Sequence, residues 1–206
     1  MTSRHPEVDD TAERLVADLL TRAPSLGRTR LVCVDGPAGS GKTTLAAGLR
    51  RAARDALRSP GSASHREHVE LVHMDNVYEG WSGMERGMDV VARDVVGPLR
   101  ENRPGRYRRW DWHRSTYAEE HGVRPVDVLL LEGVGSGNAA YADAITMLVW
   151  VETTPELRLS RGLDRDGEAM REHWLRWADE EQAMFAEHRT RERADVVVDG
   201  VTGLLG

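Results

Sequence analysis

The chain reads as an α/β protein built on a parallel sheet, and three observations predict it. Nearly unbroken apolar runs recur at residues 31–34, 126–131 and 145–151, the pattern of strands covered on both faces. Segments with helical spacing alternate with such runs from residue 30 to the end. A glycine-rich loop, Gly36-Pro37-Ala38-Gly39-Ser40-Gly41-Lys42-Thr43-Thr44, stands between the first run and the first of these helices. At 206 residues the chain suits a single domain with a sizeable core.

Ahead of the first strand, Ala12, Leu15, Val16, Leu19 and Leu20 recur at helical spacing, with Asp9, Asp10 or Thr11 as the expected cap. Residues 1–29 are therefore read as an N-terminal helical extension packed on the domain, with no chemistry of its own. After the loop, Leu45, Leu49, Ala52, Ala53, Ala56 and Leu57 form one helical face that Ser59-Pro60-Gly61 stops, and polar residues to Arg66 make a mobile connector. Residues 69–74 read as a second strand ending at Asp75, and residues 89–100 as a helix after a glycine-punctuated loop. The two long apolar runs follow, the first ending in Glu132-Gly133 and the second in Glu152. Thr154-Pro155 is a helix-start signature, because proline fits the first helical position and threonine can cap the free N–H groups. A charged turn at residues 164–167 leads into a segment whose Met170, Trp174, Trp177, Met184 and Phe185 share helical spacing, read as core. Residues 194–200 make the last strand.

The formal charge of −6 and pI near 5.8 argue against an overall attraction to nucleic acid or anionic membrane. The single cysteine, Cys33, lies in the first strand as a buried small hydrophobe and excludes an internal disulfide. Residues 1–10 lack an apolar signal core and no run reaches bilayer length, so a cytoplasmic protein with no membrane partner is expected.

The chemistry starts at the loop. Gly36, Gly39 and Gly41 let the backbone turn its N–H groups toward one point, Lys42 adds a cation, and Thr43 offers a hydroxyl to a phosphate-bound Mg²⁺. In an open parallel sheet ligands bind beyond the carboxyl ends of the strands, and there the chain places Asp75, Glu132 and Glu152. Carboxylates facing a triphosphate repel it unless a cation lies between them or one takes a proton from an acceptor alcohol. Asp75 and Glu132 are assigned to those tasks, and Glu152 to solvent or to the start of the next helix. Basic and aromatic residues alternate from Arg103 to Arg114. They suit single-stranded nucleic acid, a pocket for a planar or anionic small molecule, or a surface ribbon pinned by two tryptophans, with the pocket favoured. Arg158, Arg161 and Arg165, beside a polar turn, suit a lid over residues 158–170 that brings guanidinium groups onto phosphate.

With the loop, Met74-Asp75-Asn76-Val77-Tyr78, Trp110-Asp111-Trp112, Leu130-Leu131-Glu132-Gly133, the arginines from Arg158 to Arg165 and residues 194–198 assembled, the chain resembles the uridine kinase family of phosphate-loop nucleoside kinases, related to phosphoribulokinase. The likeness covers residues 31–200. It implies a five-stranded parallel sheet in the order 2-3-1-4-5 with helices on both faces, and ATP and Mg²⁺ as cofactors. It makes Asp75 the acceptor of the nucleoside 5′-hydroxyl proton and Tyr78 an aromatic of the sugar and base pocket. Trp110 and Trp112 fall beside the base, and Arg161 and Arg165 are carried over as lid arginines. The family's pyrimidine-reading histidine would fall on Ser115, a departure that His113, two positions earlier, does not repair. The expectation is a kinase for a hydroxyl of a nucleoside-like small molecule, with a sugar, vitamin precursor or antibiotic as alternative acceptor and a nucleotide-switch ATPase as the competing class. No nucleic-acid partner is expected, and a homo-oligomer is compatible with the reading.

Overall fold

The computed structural model describes residues 6–58 and 68–205. Its centre is a five-stranded parallel sheet of β1 (Arg30–Asp35), β2 (Val69–His73), β5 (Val128–Glu132), β6 (Ile145–Glu152) and β7 (Val196–Asp199) in the order β2-β5-β1-β6-β7. Counting only these strands in chain order, the sequence is 2-3-1-4-5, as the resemblance implied. The ladder pairs Val34 with Glu132 and with Val149, and His73 with Glu132, so the carboxyl ends of β1, β2 and β5 lie side by side. A second sheet, absent from the sequence expectations, is the antiparallel hairpin of β3 (Gly105–Asp111) and β4 (Thr116–Val123).

Each face of the main sheet has its own apolar layer. On one, α1 (Pro6–Thr21) and α2 (Lys42–Leu57) cover it: Leu15, Val16, Leu19, Leu45 and Leu49 pack with Val32, Leu130 and Val149. On the other, Leu31, Cys33, Leu129 and Leu131 pack with residues of the helical run α3 (Met84–Val90), a π-helical stretch (Val91–Val96) and α4 (Gly97–Arg100), and with Trp177 and Met184 of α6 (Arg171–His188). The alternation along β1 explains why its run is apolar throughout: odd-numbered residues serve one layer and even-numbered ones the other. The short α7 (Thr190–Arg193) connects α6 to β7.

Several expectations need correction. Helix α1 begins at Pro6, so Asp9, Asp10 and Thr11 lie inside it: Asp9 pairs with Arg51, and Thr11 Oγ1 donates to Gly203 O at 2.7 Å. The supposed charged turn at 164–167 is helical through Asp166, because α5 (Pro155–Asp166) ends only where Gly167 takes φ 93°. Its start follows the signature, Thr154 accepting from the Leu157 N–H at 3.4 Å with Pro155 in the first turn. The connector expected from Ser59 to Arg66 lies outside the described residues. No helix among the described residues is long and apolar enough to cross a membrane.

Candidate active site

The glycine loop turns immediately after β1, and its geometry depends on Asp35. Gly36 holds φ 139° with its backbone against Val151, where a Cβ would meet the Val151 carbonyl at 2.1 Å, so the tight turn admits no side chain. The Asp35 carboxylate is fully buried and accepts from the N–H groups of Gly36 (2.7 Å), Gly135 (2.9 Å) and Gly137 (2.7 Å), tying the loop to the segment after β5. Desolvation outweighs those bonds and the Lys42 charge and raises its pKa to about 6. A second buried carboxylate braces the loop from outside. Glu181 of α6, 2% exposed, accepts from the Ala38 N–H at 2.8 Å and from Arg158 of α5 at 2.7 Å. Burial raises its pKa as well, against the pull of Ala38, Lys42 and Arg158. Neither acid was singled out from the sequence.

Lys42 donates to Gly36 O at 2.7 Å and Pro37 O at 2.8 Å, which curls its ammonium over the concave side of the loop. Gly41, at φ 104°, begins α2, so the helix N-terminus and its free N–H groups point at the same place. Thr43 Oγ1 donates to Glu132 Oε1 at 3.0 Å, and the other Glu132 oxygen meets His73 Nδ1 at 2.6 Å. That hydrogen bond is the first cause of a raised His73 pKa. Among the described residues no group of three His, Cys, Asp or Glu side chains is placed to hold a metal by itself. Thr43 and Glu132 nevertheless fit Mg²⁺ with a triphosphate, since that ion keeps several waters and takes one or two protein oxygens beside phosphate oxygens.

A cavity of about 940 Å³ runs past the loop. Asp75, in the one-turn helix Met74–Asn76 after β2, opens into it; it is solvent-accessible yet crowded by the cleft walls, and desolvation followed by the nearby Glu132 charge raises its pKa. Beyond Asp75 the walls are aromatic. Trp112 Nε1 donates to the Asp75 carbonyl at 2.8 Å, and Trp81 stands edge-on to Trp112, Trp174 and Trp177 at centroid distances of 5.7, 6.1 and 5.9 Å. All of these tryptophans line the cavity, as do His113, Arg161 and Arg165. Arg161 donates to Gly39 O at 3.1 Å, while Arg165 pairs with Asp166 at 2.8 Å and lies 5.6 Å from the Trp174 ring.

Sequence reasoning and structure part at particular side chains. Asp75, Glu132, Thr43, Lys42, Trp112, Arg161 and Arg165 are brought together around one cavity. Tyr78 and Trp110 are not: Tyr78 is fully buried with its hydroxyl donating to the Val134 carbonyl, and Trp110 packs edge-on to Tyr117 inside the hairpin. On a strand, residues two apart share a face, but β3 ends at Asp111, so Trp112 leaves that face and reaches the cleft. The stripe read as core is divided, with Met184 in the core and Trp174 and Trp177 also forming cavity wall. Trp81 was overlooked; its position after a Glu79-Gly80 turn carries no period that would mark it. Within the arginine ribbon, Arg109 pairs with Glu119 at 2.7 Å and Arg106 with Glu120 at 3.9 Å across the hairpin. Glu152 pairs with Arg191 and accepts from the Trp150 indole N–H.

No family model matches the sequence, and no curated protein does. Among solved structures, a protein from Bacillus stearothermophilus provisionally named a uridine kinase superposes with TM-score 0.64 at 18% identity, covering 91% of this chain and 97% of that one. A provisionally named fructose transport system kinase from Silicibacter sp. TM1040 gives 0.60 at 19% identity, covering 84% and 94%. The YGR205w protein gives 0.52 at 10% identity, covering 85% and 87%. At these identities the likeness concerns architecture: the chain has the phosphate-loop α/β fold that these structures share.

Proposed function

We propose that the protein is an ATP- and Mg²⁺-dependent kinase that phosphorylates a hydroxyl of a nucleoside-like small molecule. The observation that carries this reading is the position of Asp75, in the same cavity as the phosphate loop and between the Thr43–Glu132 pair and a tryptophan-walled chamber. A hydrolase acting on water has no use for such a chamber; an acceptor with a flat or apolar body does. The similarity to a protein provisionally named a uridine kinase supports the same class. A sugar acceptor, suggested by the other named kinase, would find Asp75, Asn76, His113, Arg165 and Asp166 in the same cavity, but these stand among four indole rings, which favours an acceptor with a flat or apolar face.

In this mechanism Lys42 and the loop N–H groups hold the β- and γ-phosphates. Bound Mg²⁺, supported by Thr43 and Glu132, supplies charge neutralisation on the phosphate oxygens. Asp75 orients the acceptor hydroxyl and takes its proton as the oxygen bonds to the γ-phosphorus and the bond from that phosphorus to the β-bridging oxygen breaks, leaving ADP. Its raised pKa suits a proton acceptor. Arg161 and Arg165 meet the charge on the transferring group. On this reading the enzyme works in the cytoplasm on a small-molecule acceptor, and nucleic acid has no part in the reaction.

The test is ATP turnover with and without a pooled library of nucleosides, sugars and other small alcohols. Acceptor-stimulated turnover is expected in the native protein. Lys42→Ala should abolish it without unfolding the chain, and Asp75→Asn should keep ATP binding while phosphorylation falls about 10²- to 10⁴-fold, the scale of losing a general base. Undiminished transfer by Asp75→Asn would make that residue structural.

A further inference from the structure

A second cavity, of about 370 Å³, opens at the edge of the main sheet between α2 and β2. Thr43, Ala47, Arg50, Arg51 and Arg54 line it from α2, where steps of three and four residues put them on one face. Leu71 and His73, alternate residues of β2, line it from the sheet. Among the described residues Thr43 alone also lines the larger cavity, so the two are separate spaces that meet at one side chain.

Charge in this lining has one sign: arginines and a histidine, with no carboxylate among the described residues. Arg51 is held by Asp9 of α1. Arg50 has no such partner among the described residues: its Nε is buried without an acceptor, and its terminal amino groups are accessible and unbonded. An oxyanion offsets the cost of that unsatisfied donor, because a guanidinium fork gives it two parallel charge-assisted hydrogen bonds. His73 stands beside Arg50. Its Nδ1 meets Glu132 at 2.6 Å, while the ring also lines the cavity and feels the Arg50 charge. Several cationic groups around one small space favour a doubly charged phosphate over a carboxylate, and Ala47 and Leu71 add apolar wall for a short carbon body.

We propose that this cavity is a second ligand site, for a small phosphomonoester whose phosphate lies on the terminal amino groups of Arg50 and on His73 and whose body rests on Ala47 and Leu71. The site stands apart from the kinase reading, which uses the larger cavity. Through His73 its occupant lies one side chain away from Glu132, the place of an effector and not of a substrate.

The test follows the His73 ring signals by NMR, at fixed pH and ionic strength, while glycerol 3-phosphate, inorganic phosphate or acetate is titrated into the full chain and its variants. Glycerol 3-phosphate should shift them saturably and at lower concentration than inorganic phosphate, and acetate should not shift them. Arg50→Gln should weaken that binding by about tenfold, the scale of losing one charge-assisted pair. Arg50→Lys keeps the charge without the fork and should bind between the two. Arg176→Gln removes the same charge from the exposed side of α6, on the other face of the sheet, and should change nothing. Lys42→Ala, which disables the phosphate loop, should also leave the response intact. Native-strength binding in either Arg50 variant, an equal loss in Arg176→Gln, or an unresponsive native chain would overturn the site. Loss in Lys42→Ala would overturn it too, by placing the phosphate on the loop, and an affinity for inorganic phosphate as high as for the ester would overturn the ester as occupant. None of these outcomes bears on acceptor-stimulated ATP turnover, which fails or succeeds separately.

Discussion

Asp35 illustrates how a single buried side chain sets the geometry of the loop. It has three backbone N–H partners in two segments a hundred residues apart in sequence, and no route to water. Asp35→Asn turns an NH₂ group toward at least one of those donors, leaving a buried N–H unsatisfied. We expect a loss of about 1–3 kcal/mol in urea unfolding at neutral pH. The sign of the pH dependence follows from the raised pKa of about 6 against an ordinary 3.8. The native state binds the proton more tightly than the unfolded chain, so this contribution is fully present below pH 4 and is lost as pH rises through 6. The stability gap between the native chain and Asp35→Asn should therefore widen as pH falls from 7 to 4, and a constant gap would mean that Asp35 does not titrate there. Asp35 and Glu181 were illegible in the sequence for one reason: each is defined by backbone groups brought to it by tertiary structure, which leave no local pattern. Lys42, Thr43 and Glu132 were legible because motif and strand end place them locally.

At the scale of elements, the parallel strands were readable from their apolar runs because both faces are buried, and the topology followed once the family likeness was set beside them. The hairpin escaped notice. Along β3, Gly105, Tyr107 and Trp110 are buried between exposed arginines, but in β4 only Val123 is buried and the other residues are half-buried or exposed, so it offers no apolar face to read. In the segment after β6 the helix start was read correctly, but residues 164–167 were taken for a turn because charge density masks helical spacing. As α5 it meets α6 through Gly162, where an added Cβ would come within 2.4 Å of the Trp174 indole. Gly162→Ala should push the two helices apart, cost about 1–3 kcal/mol as an overpacked contact, and shift tryptophan emission. It should also lower acceptor-stimulated turnover, since Arg161 and Arg165 ride on the displaced helix. An alanine variant with native stability and turnover would show that α5 is not seated on Trp174. Any closing movement of the 158–170 segment would then be a shift of a formed helix against α6, not the ordering of a coil.

For the molecule as a whole, acidic groups outnumber basic ones, and among the described residues several surface arginines lie in ion pairs. Arg106 and Arg109 of the hairpin, part of the segment that resembled a nucleic-acid surface, pair with glutamates across the strands, and the net charge is −6. Single-stranded oligonucleotides should accordingly bind weakly if at all at physiological salt in fluorescence anisotropy, while acceptor titration should quench tryptophan emission through Trp81, Trp112 and Trp174. Tight oligonucleotide binding with a steep salt dependence would favour the discarded reading.

The lone cysteine sits at the middle of this arrangement. Cys33 lies on β1, between β5 and β6, with no exposed surface and a thiol pKa pushed well above its ordinary value by burial. A thiol reagent therefore finds nothing to attack until the central strand parts from its neighbours. The unmodified chain carries its own clock for global opening, and ligands that close the cleft on either side of β1 should slow it, whichever acceptor they turn out to be.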